Sequence, residues 1–263
     1  IVAGSWGTAL VLVLARKNIQ VALWDRDAYH IANLARDREN KRHQPDHPFP
    51  ESLQVTGDLA AAVTGANCVV MVVPSHGYRE VFRQLLPQLA DGTLVVSAVK
   101  GIEVDSGMTM DEIMAAENRG GKPLHFCVLS GPSFAAEVAD CQPTAVTAAC
   151  VDAQAAETVQ QLFAAEYFRV YAASDVKGLE ISSALKNVIA IGAGICDGLG
   201  YGLNTRAALI TRGLAEITRM GVALGAQPQT FAGLGGLGDL VLTCTGDLSR
   251  NRTVGLKLGS GLT

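Results

Sequence analysis

Charge is scarce in this chain, and what there is nearly cancels. Charged residues make up 17% of the 263 positions, and the formal net charge is −4. A balance so near zero argues against a nucleic-acid or membrane-surface partner. It also means that an anionic ligand would need a local basic pocket. With apolar residues at 49%, the composition excludes a disordered or fibrous chain. The length suits one large domain or two ordinary ones.

Ordered cysteine spacing is also missing. Cys68, Cys127, Cys141, Cys150, Cys196 and Cys244 form no C-x-x-C and no zinc-like pattern. That scatter predicts reduced, mostly buried thiols in a cytoplasmic protein, without a disulfide framework or a metal site. No internal repeat or low-complexity tract stands out, and no signal peptide is expected. The stretch Leu59–Tyr78 lacks Asp, Glu, Lys and Arg. Thr64-Gly65-Ala66-Asn67 and Pro74-Ser75-His76-Gly77 punctuate it as a helix end, a turn and a strand, so no membrane span is expected. The chain opens at Ile1, on the last residues of an apparent strand, and stops at Thr263 without a closing signal. It therefore reads as the ordered portion of a longer protein.

What is present is alternation. Short apolar runs at Ile1–Val2, Val21–Trp24, Cys68–Val73, Thr93–Val99, Phe126–Leu129, Thr144–Ala148 and Phe168–Ala172 are separated by helical patterns. Continuous apolar strands between helices predict a doubly wound α/β fold with a mostly parallel sheet. Residues 38–56, rich in Pro, Asp and His, read as a loop. After Asp175 the strand signals stop. Asn204–Leu224 carries an apolar helical face, an Arg212/Glu216 pair at i,i+4, Asn204 as a cap and Gly225 as a stop. The division is a dinucleotide-binding domain over 1–176 and a smaller helical substrate domain over 177–263.

Gly4-Ser5-Trp6-Gly7 follows a strand and opens an apolar helix, and Asp25 ends the next strand eighteen positions after Gly7. This is the layout of a dinucleotide site: glycines admit the pyrophosphate, a helix N-terminus offers free N–H groups, and an acid meets the adenosine ribose. Val2 stands where the first fingerprint glycine belongs, a position at which a β-branched residue strains the usual turn. Arg26 could pair with a 2′-phosphate, which leaves NAD and NADP both open.

Lys186 shares a helical face with Leu179, Ser182, Ile189 and Ala193. Such a lysine must find a partner, snorkel or line a cleft, and desolvation would make it usable as a general acid. Lys100-Gly101 and Ser130-Gly131-Pro132-Ser133 each follow a strand, where ligand crevices form, but Lys100 is equally a strand-end lysine in water, and the second segment by itself is just a strand-to-helix turn. The glycine-rich bend before Asp239, and the run Ser249-Arg250-Asn251-Arg252, suit a counter-ion and a phosphate clamp.

In order along the chain, these segments resemble the NAD(P)-dependent glycerol-3-phosphate dehydrogenases, bacterial type. The likeness rests on Gly4-Ser5-Trp6-Gly7-Thr8-Ala9-Leu10, Lys100-Gly101, Ser130-Gly131-Pro132-Ser133-Phe134, Lys186-Asn187-Val188-Ile189-Ala190, Gly238-Asp239-Leu240, Thr243-Cys244-Thr245 and Ser249-Arg250-Asn251-Arg252. The resemblance implies a Rossmann-type domain, NAD or NADP as cofactor, and reduction of dihydroxyacetone phosphate to sn-glycerol 3-phosphate for phospholipid synthesis, with a homodimer as the working form. It assigns Lys186 as general acid/base, Asp239 as its holder, and Lys100 to substrate and cofactor together. Gly131, Ser133, Asn187, Asp239, Thr243, Ser249, Arg250 and Asn251 become substrate ligands. Gly4, Ser5, Trp6, Gly7, Asp25, Arg26, Lys100, Ala135 and Arg250 become cofactor ligands. A related dehydrogenase for a β-hydroxyacid or ketopantoate, and a non-catalytic dinucleotide sensor, are the alternatives.

Overall fold

The computed structural model describes residues 3–262. The expected strand Ile1–Val2, and with it the replaced fingerprint glycine, lies outside the described residues. The helix Ser5–Ala15 is apolar on every side, and Gly7 through Ala15 are all buried. It shares one core with Leu23 and Leu53 on one side and with Leu94, Val96, Cys127 and Leu129 on the other.

Cys68–Met71, Leu94–Ser97 and His125–Ser130 run parallel, in that order. Thr144–Cys150 joins the third of these antiparallel, and Phe168–Ala173 pairs with it in parallel. The sheet is thus mostly parallel, as the apolar runs predict. Leu94–Ser97 is buried throughout, the condition that gives a strand a continuous rather than alternating pattern. Asp27, Asp58 and Asp152 each cap a following helix by accepting two backbone amides, satisfying donors that the first turn leaves free.

The expected loop over 38–56 is a correction. Leu53–Thr56 is a strand, parallel to Val21–Trp24 in the register Val21↔Leu53 to Trp24↔Thr56. Glu39–Asn40 and Gln44–Pro48 form a small antiparallel hairpin before it. Arg38 organises the segment. Its guanidinium donates to the carbonyls of Leu53 (2.8 Å), Phe49 (3.3 Å) and Pro50 (2.7 Å), replacing the water that a loop would need.

From Val176 onward every regular element is helical: Val176–Gly198, Leu203–Ala223, Pro228–Ala232, a π-helical turn Leu234–Gly238, Asp239–Thr245 and Arg250–Gly259. Asp175 ties the junction, accepting from the Gly178 and Gln227 amides and the Thr230 hydroxyl. Arg212 does reach Glu216, at 2.8 Å. Asn204, however, does not cap its helix; Gly202 holds that position without a side-chain bond. The Val176–Gly198 helix has the length and apolarity of a membrane span, but half of that window is buried against protein.

That long helix meets Arg250–Gly259 along a seam of glycines. A Cβ on Gly194 would strike the Arg252 carbonyl, and one on Gly255 would strike the Ile191 carbonyl. Gly198 and Gly259 face each other further along. Backbone therefore touches backbone, and this contact brings Ser249, Arg250 and Asn251 beside the helix that carries Lys186.

Candidate active site

Lys100 and Gly131 follow the C-terminal ends of two adjacent parallel strands, the rim where open α/β sheets bind ligands. The helical half faces them with Lys186, Asp239 and Thr243. The expectation that Lys186 must find a partner is answered by Asp239. Lys186 Nζ donates to Asp239 Oδ1 at 2.8 Å and to Thr243 Oγ1 at 2.7 Å. Lys100 Nζ donates to Asp239 Oδ2 at 2.9 Å and to the Gly131 carbonyl at 3.1 Å. One carboxylate, 1% exposed, thus separates two ammonium groups, one from each half of the molecule. No signal in the sequence joins Lys100 to Asp239, because the two lie 139 positions apart.

Local structure explains each placement. Asp239 is delivered by the π-helical turn, in which Gly235 lies against the Leu179 side chain of the long helix. Ser182 Oγ fixes that turn by donating to the Gly235 carbonyl at 2.8 Å. Gly131 sits at φ +152, and a Cβ there would be 2.8 Å from Val146 Cα, so only glycine turns the chain here. Its carbonyl also accepts from Ser133 Oγ at 2.9 Å.

Burial and then the neighbouring Lys100 charge lower the Lys186 ammonium to about 8, with Asp239 pulling the other way. A lysine so placed holds a proton firmly at neutral pH and releases it within reach of physiological conditions. With both lysines protonated, the trio carries one net positive charge, suited to oxygen that becomes negative during reaction.

Asn187 and Asn251 are joined, Asn251 Nδ2 donating to Asn187 Oδ1 at 2.8 Å. Ser249 is buried and caps its helix by accepting from the Arg252 amide. Arg250, in the first turn of that helix, is exposed. Arg252 instead serves the scaffold, binding Asp197 (2.9 Å) and Asp247 (2.8 Å).

Gly4, Ser5, Trp6, Gly7 and Asp25, expected to hold the dinucleotide, lie at or near the start of the Ser5–Ala15 helix. Gly4 caps it with no side-chain bond, and no acid lies in its first turn, so the free N–H groups suit an anion. A Cβ at Gly4 would meet nothing within 4 Å, and the buried Trp6 Nε1 lacks a partner among the described residues. Open backbone and unsatisfied donors fit a pyrophosphate. Asp25 is 7% exposed; its oxygens accept from the amides of Ala3 (2.8 Å) and Asp27 (3.0 Å). It thus anchors the turn on which a dinucleotide would lie. Asn40 Nδ2 donates to the Ala3 carbonyl (2.8 Å), and His30 Nε2 lies 3.2 Å from it.

Arg26 is exposed at the end of its strand, and Ala135 opens the short helix after Ser133. Arg42 escaped the sequence reading. Burial, followed by the charges of Arg42, His30 and Arg250, lowers the His43 imidazole, while Asp25 opposes them. Arg42 is exposed and lies 3.9 Å from Asp27, the acid that caps the following helix.

Residues 1–156 match the family model of the NAD-dependent glycerol-3-phosphate dehydrogenase N-terminus, and residues 175–263 that of its C-terminus. The chain belongs to the NAD(P)-dependent glycerol-3-phosphate dehydrogenases. A glycerol-3-phosphate dehydrogenase [NAD(P)+] of Desulfotalea psychrophila is 57% identical over 262 residues, spanning 98% of this chain and 77% of the relative. Its counterpart in Geobacter metallireducens is 56% identical over 260 residues, 99% of this chain and 78% of the relative. The crystal structure of the Coxiella burnetii glycerol-3-phosphate dehydrogenase superposes with a TM-score of 0.95 at 43% identity, covering 99% of this chain and 79% of that one.

Proposed function

We propose that this chain reduces dihydroxyacetone phosphate to sn-glycerol 3-phosphate, reversibly, with NADH or NADPH. The observation that carries the reading is the Lys186–Asp239–Lys100 trio, with Asn187, which follows Lys186 on its helix, paired to Asn251. When bound, the reduced nicotinamide supplies a hydride to C2 of the substrate. Lys186 gives its proton to the C2 oxygen and takes it back in the reverse direction. Asp239 orients Lys186 and keeps it charged, and Thr243 completes the orientation. Lys100 stabilises the developing oxyanion from the cofactor side of the cleft. Gly131, Ser133, Ser249, Arg250 and Asn251 hold the substrate, with Arg250 and Asn251 nearest its phosphate.

On the cofactor side, Gly4, Ser5, Trp6 and Gly7 receive the pyrophosphate. Asp25 braces that turn, and Arg26, Ala135 and Arg250 complete the contacts. The 1–176 segment acts as the dinucleotide-binding domain and 177–263 as the substrate domain. The reading extends to a cytoplasmic enzyme supplying phospholipid synthesis. Apolar side chains exposed on the helical half, such as Val188, Leu199 and Leu203, favour a homodimer.

The test follows coenzyme absorbance as the full-length protein meets NADPH or NADH with dihydroxyacetone phosphate. Oxidation that disappears with unphosphorylated dihydroxyacetone supports the reading. Turnover of ketopantoate or a β-keto acid instead would replace it with the related dehydrogenase, and tight coenzyme binding without turnover would replace it with the sensor.

A further inference from the structure

The hairpin of Glu39–Asn40 and Gln44–Pro48 carries two buried amides that the reaction has no use for so far, Asn40 at 0% exposed and Gln44 at 3%. They pair in register across the bend. An asparagine at a bend ordinarily serves its own backbone. Asn40 does so with Oδ1 alone, which accepts from the His43 amide at 3.2 Å. Its Nδ2 reaches residues 37 and 32 positions away, donating to the Ala3 carbonyl at 2.8 Å and to Thr8 Oγ1 at 2.7 Å. Gln44 Nε2 likewise leaves the hairpin and donates to the Ala135 carbonyl at 3.1 Å.

Ala3 precedes Gly4, where the chain turns into the Ser5–Ala15 helix, and Thr8 lies in that helix, fully buried. One side chain therefore clips the turn to the helix it opens. The Ala3 backbone is held on its other edge too, its amide donating to Asp25 Oδ2 at 2.8 Å. Ala135 opens the short helix Ala135–Ala139, which shares a core with Ser5–Ala15 through Val138 and Ala139. The hairpin thus grips both segments proposed to meet the coenzyme, the pyrophosphate turn and the chain after Ser133. Its own base is fixed elsewhere, by Arg38 on the Phe49, Pro50 and Leu53 carbonyls. A turn whose amides are set before the ligand arrives loses less freedom on binding, and affinity rises accordingly.

We propose that Asn40 is a positioning residue for the coenzyme: through the Ala3 carbonyl and Thr8 it holds the turn at Gly4, Ser5 and Trp6 in the shape that receives the pyrophosphate, and Gln44 extends that hold to Ala135. The inference rests on the dehydrogenase reading above. Failure of that reading would show as wild-type protein that leaves dihydroxyacetone phosphate unreduced, whereas this inference is read from coenzyme dissociation constants measured without substrate.

The experiment titrates full-length wild type, Asn40→Ala, Asn40→Asp and Gln44→Ala with NADH and with NADPH, following coenzyme fluorescence. It then measures kcat and KM for dihydroxyacetone phosphate at saturating coenzyme. Asn40→Ala is expected to weaken both coenzymes alike by about 10-fold, the size of one lost buried hydrogen bond with its stranded partner. Its kcat and its KM for dihydroxyacetone phosphate should stay within about twofold of wild type. Gln44→Ala is expected to weaken both coenzymes by about threefold. Asn40→Asp keeps the shape and the acceptor but donates only when protonated. It should bind about 10-fold more weakly than wild type at about pH 8.5 and recover towards wild type at about pH 6. Asp25, His30 and His43, the titratable groups next to Asn40 and the Ala3 backbone, are the same in every variant, so their titration divides out of each ratio to wild type. Should Asn40→Ala fail to fold, Asn40→Asp decides. Unchanged dissociation constants in the Asn40 variants would overturn the proposal, and unchanged ones in Gln44→Ala would overturn the second hold. A loss confined to one coenzyme would overturn it too, because the pyrophosphate is common to both. So would a loss that falls on the KM for dihydroxyacetone phosphate instead, or an Asn40→Asp variant without recovery in acid.

Discussion

Replacing Asp239 by Asn leaves the shape of the trio almost intact and removes its only negative charge. At 2.8 Å from Lys186, and with an effective dielectric near 20, the bare Coulomb attraction is about 6 kcal/mol, which is an upper bound. A net value for a hydrogen bond to a charged group is about 1.5–3 kcal/mol, equal to about one to two pH units at about 1.36 kcal/mol each. Lys186, already lowered to about 8 by burial and by Lys100, would then titrate at about 6 to 7. Reduction needs the protonated amine, so its kcat/KM holds below the pKa and is lost above it. At about pH 7 the protonated share falls from about nine-tenths to between a half and a tenth, and the rate follows. The measurement is kcat/KM for dihydroxyacetone phosphate as a function of pH, with a thermal melt to verify folding. The alkaline limb of reduction should move to lower pH, and oxidation of glycerol 3-phosphate should gain in relative terms at the acid end. A limb that stays where the wild type has it would refute the assignment of Lys186 and Asp239 as an acid and its holder.

Lys186→Met should remove about 100-fold to 10,000-fold of turnover, the span of a lost general acid; near-normal kcat in stopped-time assays would end the acid/base role. The same variant bears on stability. Because the folded amine titrates near 8 and the reference is 10.5, the unfolded chain binds more protons between those values, and stability should rise with pH across that window by about 3 kcal/mol. Denaturant titrations of Lys186→Met should lack that increment. Gly131→Ala forces a side chain into a left-handed region beside Val146, so a loss of about 1–3 kcal/mol and a falling Tm are expected, with activity dropping as the carbonyl leaves Lys100. Arg26→Ala should weaken NADPH more than NADH by about 10-fold, one charge-assisted bond to the 2′-phosphate; equal losses for both coenzymes would remove Arg26 from coenzyme choice.

The parallel strands were legible because burial on both faces writes a continuous apolar run, as in Val95 and Val96, both 0% exposed. Leu53–Thr56 was not legible, since Gln54 and Thr56 interrupt it and proline precedes it. What makes it a strand is its parallel pairing with Val21–Trp24, with Arg38 holding the Leu53 carbonyl, contacts no local pattern encodes. In the site, Lys186 announced itself as a cation on an apolar face, and the glycine bend announced a delivered acid at Asp239. The union of Lys100 with that same acid arises only when the two halves meet. Periodicity found the Asn204–Leu224 helix but mistook its first turn, where Gly202 leaves the end uncapped.

The glycine seam between Val176–Gly198 and Arg250–Gly259 has a consequence for how this enzyme can change. Where side chains separate two helices, a larger residue on one side can be matched by a smaller one opposite, and the spacing drifts. Here Gly194 and Gly255 already stand against carbonyl groups, so no opposite side chain remains to be trimmed. The distance between the turn Ser249–Asn251, proposed to hold the phosphate, and Lys186, the proposed proton donor, is therefore fixed by the thickness of two bare helices. Substrates with a longer span between carbonyl and phosphate would have to be accommodated by the other wall of the cleft, around Gly131 and Lys100, and it is there that altered specificity should arise.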